Sequence, residues 1–199
     1  MSALADSGCC VLVNVFHPTD TGMPAAVPQR VIAIVVSGLF GDADRYQSDI
    51  SEFVFMPPSC VRARIAALVC LMQNPCNAKK VADCGGVRAL NLAVRCCCNN
   101  PEFAAQGCVA LTRLAQCDAS RNSFIEERCV NTVIGVIGQH GAGALVQARA
   151  LALLLILVES RRMQLEFRKS RGAPVLKASL AETLWTTGVV RGILRACSR

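Results

Sequence analysis

Ala104-Ala-Gln-Gly-Cys-Val-Ala-Leu-Thr-Arg-Leu-Ala115, followed across a short polar link by Asn122-Ser-Phe-Ile-Glu-Glu-Arg-Cys-Val-Asn-Thr-Val-Ile134, is the stretch on which the fold turns. Ala110, Leu111 and Leu114 stand at i, i+1 and i+4, which gives a helix one wide apolar face. Just ahead, Asn100-Pro101-Glu102 is a helix start. Asn caps the free amides, Pro has no N–H to waste in the first turn, and the acid meets the positive end of the dipole. The pattern predicts a long helix, a link, a small amphipathic helix and a second apolar helix.

The same order occurs on both sides of this stretch. Val61-Arg-Ala-Arg-Ile-Ala-Ala-Leu-Val-Cys-Leu-Met72 precedes Asn77-Ala-Lys-Lys-Val-Ala-Asp-Cys-Gly-Gly-Val-Arg-Ala-Leu90. Val146-Gln-Ala-Arg-Ala-Leu-Ala-Leu-Leu-Leu-Ile-Leu157 precedes Arg162-Met-Gln-Leu-Glu-Phe-Arg-Lys-Ser-Arg-Gly-Ala-Pro-Val-Leu176. Gly86, Cys129 and Ala173 fall at equivalent places, 43 and 44 residues apart, a period that belongs to stacked helical repeats. Gly85-Gly86, the glycines at 141–143, and Gly172 with Pro174 are breaks between helices. Val31 to Val36 is β-branched enough for a strand, but Gln29-Arg30 and the later repeats favour a helix.

These units resemble armadillo repeats. Gln106, Ala110, Leu111, Leu114, Ala115, Asn122, Ile125, Val130 and Val133 follow that family's consensus in order, and Asn77, Val81, Gly85, Gly86, Val87 and Leu90 follow its second half. The likeness covers about residues 60 to 180, and HEAT repeats are the near alternative. It implies an all-α, right-handed α-α superhelix, an armadillo-like solenoid of about three full repeats with degenerate caps. The expected organisation is an irregular extension over 1–28 and a repeat domain over 29–199. Within the latter come a degenerate repeat at 29–59, repeats at 60–100, 101–143 and 144–182, and a capping helix at 183–199. Gln29–Phe40 resembles the long third helix of the opening repeat, and Met56-Pro57-Pro58 breaks the chain before the first good one.

Composition narrows the function. The 199 residues are 53% apolar and carry 13 cysteines and a net charge of +7, with a mean hydropathy of +0.40. The densest apolar run, Ala150 to Val158, lies between Arg149 and Glu159 and is far short of a membrane span. An odd cysteine count, and an opening stretch to Gln29 without Lys or Arg, argue for reduced thiols in a cytoplasmic protein with no secretory signal. The cysteines read as small core residues. Consecutive Cys96-Cys97-Cys98 point about 100° apart on a helix, and no paired C-x-x-C knuckle accompanies them, so no metal site is expected. Cys9-Cys10 offer a place for a reversible acyl chain. No Gly-rich phosphate loop, G-x-S-x-G or H-E-x-x-H occurs, and neither an enzyme nor a cofactor is expected.

What the resemblance implies is binding: successive third helices line a groove that takes an extended peptide or a helix. Arg62, Arg113 and Arg149 are the candidate groove contacts. Nuclear-import receptors of this family carry Trp and Asn four residues apart on those helices. Here the matching places hold Ala66 and Cys70, then Val109 and Arg113, which argues against a receptor for basic signals.

The charge is local. Residues 1–160 hold twelve basic and twelve acidic side chains, so the whole +7 lies in the last 39 residues. Arg161, Arg162, Arg168, Lys169 and Arg171 are the candidate basic end, suited to an acidic protein segment; RNA is the weaker option because only Phe167 and Trp185 are there to stack on bases. A solvated capping face is the bland alternative. The expected function is a non-enzymatic protein-interaction scaffold or a subunit of a hetero-complex. The other option is a cytoskeletal, axonemal or ribonucleoprotein-particle component docked by that end.

Overall fold

Helix is the only regular structure among the residues that the computed structural model describes, which are 26–40, 58–140, 143–182 and 187–198. In order the helices are α1 (Gln29–Phe40), α2 (Pro58–Leu71), α3 (Pro75–Asp83), α4 (Gly86–Cys96) and α5 (Pro101–Ala115). A 3-10 turn over Asp118–Ser120 leads into α6 (Arg121–Glu126), then α7 (Cys129–Gln139), α8 (Ala144–Leu157), α9 (Arg161–Lys169), α10 (Gly172–Glu182) and α11 (Thr187–Ser198). The expected irregular extension up to residue 25, Cys9-Cys10, Met56-Pro57, Gly141 and Ala142 lie outside the described residues.

The start signals work as the side chains require. Asn74 accepts the amide of Cys76 at 2.9 Å ahead of Pro75, and Asn100 accepts that of Phe103 at 3.1 Å ahead of Pro101. Three successive triads follow: short α3, middle α4 and long α5; short α6, middle α7 and long α8; short α9, middle α10 and long α11.

The register between them is constant. Gly86, Cys129 and Gly172 open the middle helices 43 residues apart, so the third start is Gly172, one residue before Ala173. Leu68, Leu111 and Leu154 share one place in the long helices and are all fully buried; Val81, Phe124 and Phe167 share one in the short helices. Leu90, Val133 and Leu176 do the same in the middle ones. Close approach explains two glycines. A Cβ on Gly86 would sit 2.4 Å from Val81 Cγ1, and one on Gly172 would sit 2.3 Å from Phe167 Cε2. Both middle helices therefore begin hard against the last core residue of the short helix.

Like helices pack in rows. The long helices α2, α5, α8 and α11 touch in succession, and so do the middle helices α4, α7 and α10. α1 packs on α2, α3 and α4, the same set of neighbours that α7 has in α8, α9 and α10. Gln29–Phe40 thus occupies the place of a middle helix instead of the long third helix expected from its sequence. Its apolar face of Ile32, Val35, Val36 and Leu39 is deeply buried, as a middle helix requires.

Buried polar groups tie the links to the helices. Asn77, fully buried, accepts the amide of Val27 at 2.9 Å and donates to the carbonyl of Leu71 at 3.1 Å. Ser120 stands 43 residues on and donates to the carbonyl of Leu114, the matching one. Gln147, buried in α8, reaches the carbonyls of Ile137 and His140 at the end of α7.

Candidate functional site

The outward face of the long helices is the first candidate. On α8 it carries Leu145, Ala148, Arg149, Ala152 and Ile156 at helical spacing, with Leu155 on its flank. Leu145 is 62% exposed and Leu155 42%. On α5 the same face carries Gln106, Val109 and Arg113. Gln106 adds an unmet demand: its Oε1 is enclosed and, among the described residues, accepts no hydrogen bond.

The three arginines expected to line this face behave differently. Arg113 and Arg149 are exposed and stand seven residues apart in register, hence on one side of adjacent long helices. Arg62 is turned about 100° from that line, and its Nη1 lies 3.4 Å from Glu102 Oε2 at the start of α5. Among the described residues no hydrogen bond or ion pair links the three.

The basic end is divided too. Arg168 Nε donates to the carbonyl of Cys197 and so closes the last turn of α11. Lys169 lies 3.2 Å from Glu166 one turn back. Arg161, Arg162 and Arg171 are exposed. Arg161 and Arg162 occupy the first turn of α9, which contains no acid, and Ser160 makes no side-chain cap there. Two cations therefore face the positive end of the helix dipole, an unfavourable arrangement that an anion would relieve.

A third feature escaped the sequence reading. A half-open cleft of about 580 Å³ lies between the second and first full triads, among Arg95, Glu126, Glu127, Arg128, Gly135 and Gln139. Arg128 adopts φ 50° and Arg171 φ 56°, the only left-handed non-glycine residues described. Gly85, at φ 78°, holds the same register place 43 residues earlier. The signal was in the sequence: Gly85, Arg128 and Arg171 share one place in the period, and glycine at the first of them marks a left-handed turn.

Thiol chemistry gains no support from the surroundings. Burial pushes the thiols of Cys70, Cys96, Cys97 and Cys197 up, that of Cys108 to about 12 and that of Cys129 still further, so they stay neutral and weakly nucleophilic at pH 7. Among the described residues, no group of three or more His, Cys, Asp or Glu side chains is placed to hold a metal ion, and no helix is long and apolar enough to cross a membrane. Comparison with protein-family models and with curated proteins finds no match.

Proposed function

We propose that this chain is a non-enzymatic protein-interaction scaffold, a short armadillo-like right-handed solenoid that binds partners through the outward face of its long helices and through its basic end. The observation that carries the reading is the exposed apolar strip of α8, Leu145 to Ile156, which holds Arg149 and lies on the helix packed against the one that carries Arg113 and the unmet acceptor of Gln106. An extended segment with apolar and acidic side chains has a use for all of them: burial for the strip, charge for the guanidiniums and a backbone N–H for Gln106. The reading places the protein in the cytoplasm, within a hetero-complex, in keeping with the free cysteines among the described residues.

The alternative is a structural subunit of a cytoskeletal or ribonucleoprotein particle, docked on an acidic surface or RNA by Arg161, Arg162 and Arg171. It draws on the two arginines that oppose the dipole of α9. Affinity purification of the tagged chain separates the two. Arg113→Glu with Arg149→Glu is expected to strip the scaffold's partners and leave particle association intact. Arg161→Glu with Arg162→Glu is expected to do the reverse. Unchanged partner sets in both variants reject both readings.

A further inference from the structure

Two neighbouring junctions in the row of middle helices differ at the same three places. Where α7 meets α10, Ile134 presses on the start of α10: a Cβ on Gly172 would lie 2.8 Å from its Cδ1. One turn further on, a Cβ on Gly138 would stand 3.5 Å from Val175 Cγ1, ordinary contact. Small and apolar side chains close that junction. Where α4 meets α7, 43 residues earlier, the three places hold Asn91, Arg95 and Thr132, and the junction stays open as the cleft of about 580 Å³. Both ends of the opening are pinned. At one, Asn91 donates to the carbonyl of Glu127 at 2.8 Å, and Arg88 Nε lies 3.9 Å from Glu127 Oε1. At the other, Gln139 donates to Asn99 Oδ1 at 2.5 Å and His140 Nε2 to the carbonyl of Cys98 at 2.6 Å.

Between these pins the cleft is lined by Arg95, midway in sequence from Asn91 to Asn99, and by Asn131, Thr132 and Gly135 of α7. A Cβ on Gly135 would meet nothing within 4 Å, so bare helix backbone borders the opening there. Among the described residues Arg95, Arg128 and Glu126 enter no ion pair, whereas Glu127 has Arg88. Two guanidiniums and one carboxylate of the lining are thus left without an opposite charge. Asn131, Thr132 and Gln139 are uncharged groups that both donate and accept. Asn91, 2% exposed, adds an enclosed acceptor: its Oδ1 accepts no hydrogen bond among the described residues, on the same amide that holds the Glu127 carbonyl.

We propose that this cleft binds a short, extended, acidic segment of a partner protein. Its carboxylates would pair with Arg95 and Arg128. Its main chain would pass over Gly135 and exchange hydrogen bonds with Asn131, Thr132 and Gln139, with Glu126 accepting an amide. Size and charge select the occupant. The eleven residues of α7 are about 16 Å long, the reach of about five extended residues. A basic segment would meet more uncompensated cations than anions. A phosphate group would answer Arg128 but stand against the neighbouring Glu126 and Glu127. The inference rests on the interaction-module reading but uses the row of middle helices, a different surface from the outward strip of α8.

The test uses the full chain and a labelled, end-blocked heptapeptide in which threonine alternates with glutamate, read by fluorescence anisotropy. Three controls accompany it: the same peptide with lysine for glutamate, the same with glutamine, and adenosine triphosphate as a competitor. The glutamate peptide is expected to bind at about 100 µM or tighter, and the lysine and glutamine peptides about tenfold weaker. Arg95→Glu and Gly135→Leu are each expected to weaken it about tenfold, with far-ultraviolet circular dichroism unchanged. The second of these alters no charge and only fills the cleft. Arg113→Glu with Arg149→Glu reverses more charge elsewhere and should leave the affinity within about twofold. If that pair abolishes binding while Arg95→Glu and Gly135→Leu do not, the cleft is rejected and the scaffold reading survives. Equal binding of the lysine or glutamine peptide, tighter binding of adenosine triphosphate, no binding at all, or self-association that Arg95→Glu removes each overturns the assignment.

Discussion

Arg128 and Arg171 hold a left-handed backbone that costs a side-chain-bearing residue about 1 kcal/mol or more, at the place where the first triad uses Gly85. Replacing either by glycine relieves that strain and returns part of the gain as unfolded-chain entropy. Arg128→Gly and Arg171→Gly should each raise stability by about 0.5–1 kcal/mol in a urea titration; a lower midpoint would show that the guanidinium makes a stabilising contact. Cys108 is the second residue-scale case. Its folded thiol titrates near 12 against 9.0 unfolded, so the native state keeps the proton that the unfolded chain sheds. The contribution is fully present below pH 9.0 and is lost as pH rises toward about 12, on the order of 1 kcal/mol per pH unit. The urea midpoint should fall between about pH 8 and about pH 10.5, and fall less in Cys108→Ala. Equal falls would remove this thiol from the account.

At the scale of the element, two helical glycines have opposite roles. A Cβ on Gly107 of α5 would lie 2.2 Å from Val94 Cγ2, whereas one on Gly135 of α7 meets nothing within 4 Å. Gly107→Ala should therefore cost about 1–3 kcal/mol through overpacking, despite the better helix propensity of alanine. Gly135→Ala should stabilise by about 0.5–1 kcal/mol, because only propensity changes. Paired thermal melts check both signs together. Helix type and start were legible because Asn-Pro pairs and apolar spacing are local signals: Asn74-Pro75 and Asn100-Pro101 cap α3 and α5 with their own side chains. The place of α1 was not. Its apolar face suits a middle or a long helix equally, and only its contacts with α2, α3 and α4 separate the two.

For the whole molecule the constant register makes a stronger demand. If each triad contacts only its neighbours, one period can be removed without disturbing the rest. Deleting residues 101–143 joins Asn100, the N-cap of α5, to Ala144, the first residue of α8, and brings α8 into the register of α5. The shortened chain should keep its helical circular dichroism per residue and a cooperative melt, with a lower midpoint. Loss of the melt would show that the triads are not interchangeable units. The candidate surfaces were only partly visible at this scale. The local +7 located a basic end, but Arg168 closes α11 through Cys197 and Lys169 pairs with Glu166, so fewer of those cations are open to a partner than the sequence suggests.

By itself the sequence determined that the chain folds into helices, where most of them start, and that their pattern recurs about every 43 residues, because caps, glycines and apolar spacing act within a few residues of one another. The tertiary structure decided what depends on neighbours far along the chain. It set α1 in the place of a middle helix, turned Arg62 toward Glu102, put Arg128 and Arg171 in the left-handed region, and left Val189, Lys177 and Arg191 exposed. Burial and pairing belong to the packed array of helices, and a residue's own helix does not reveal which of its faces the next helix will cover.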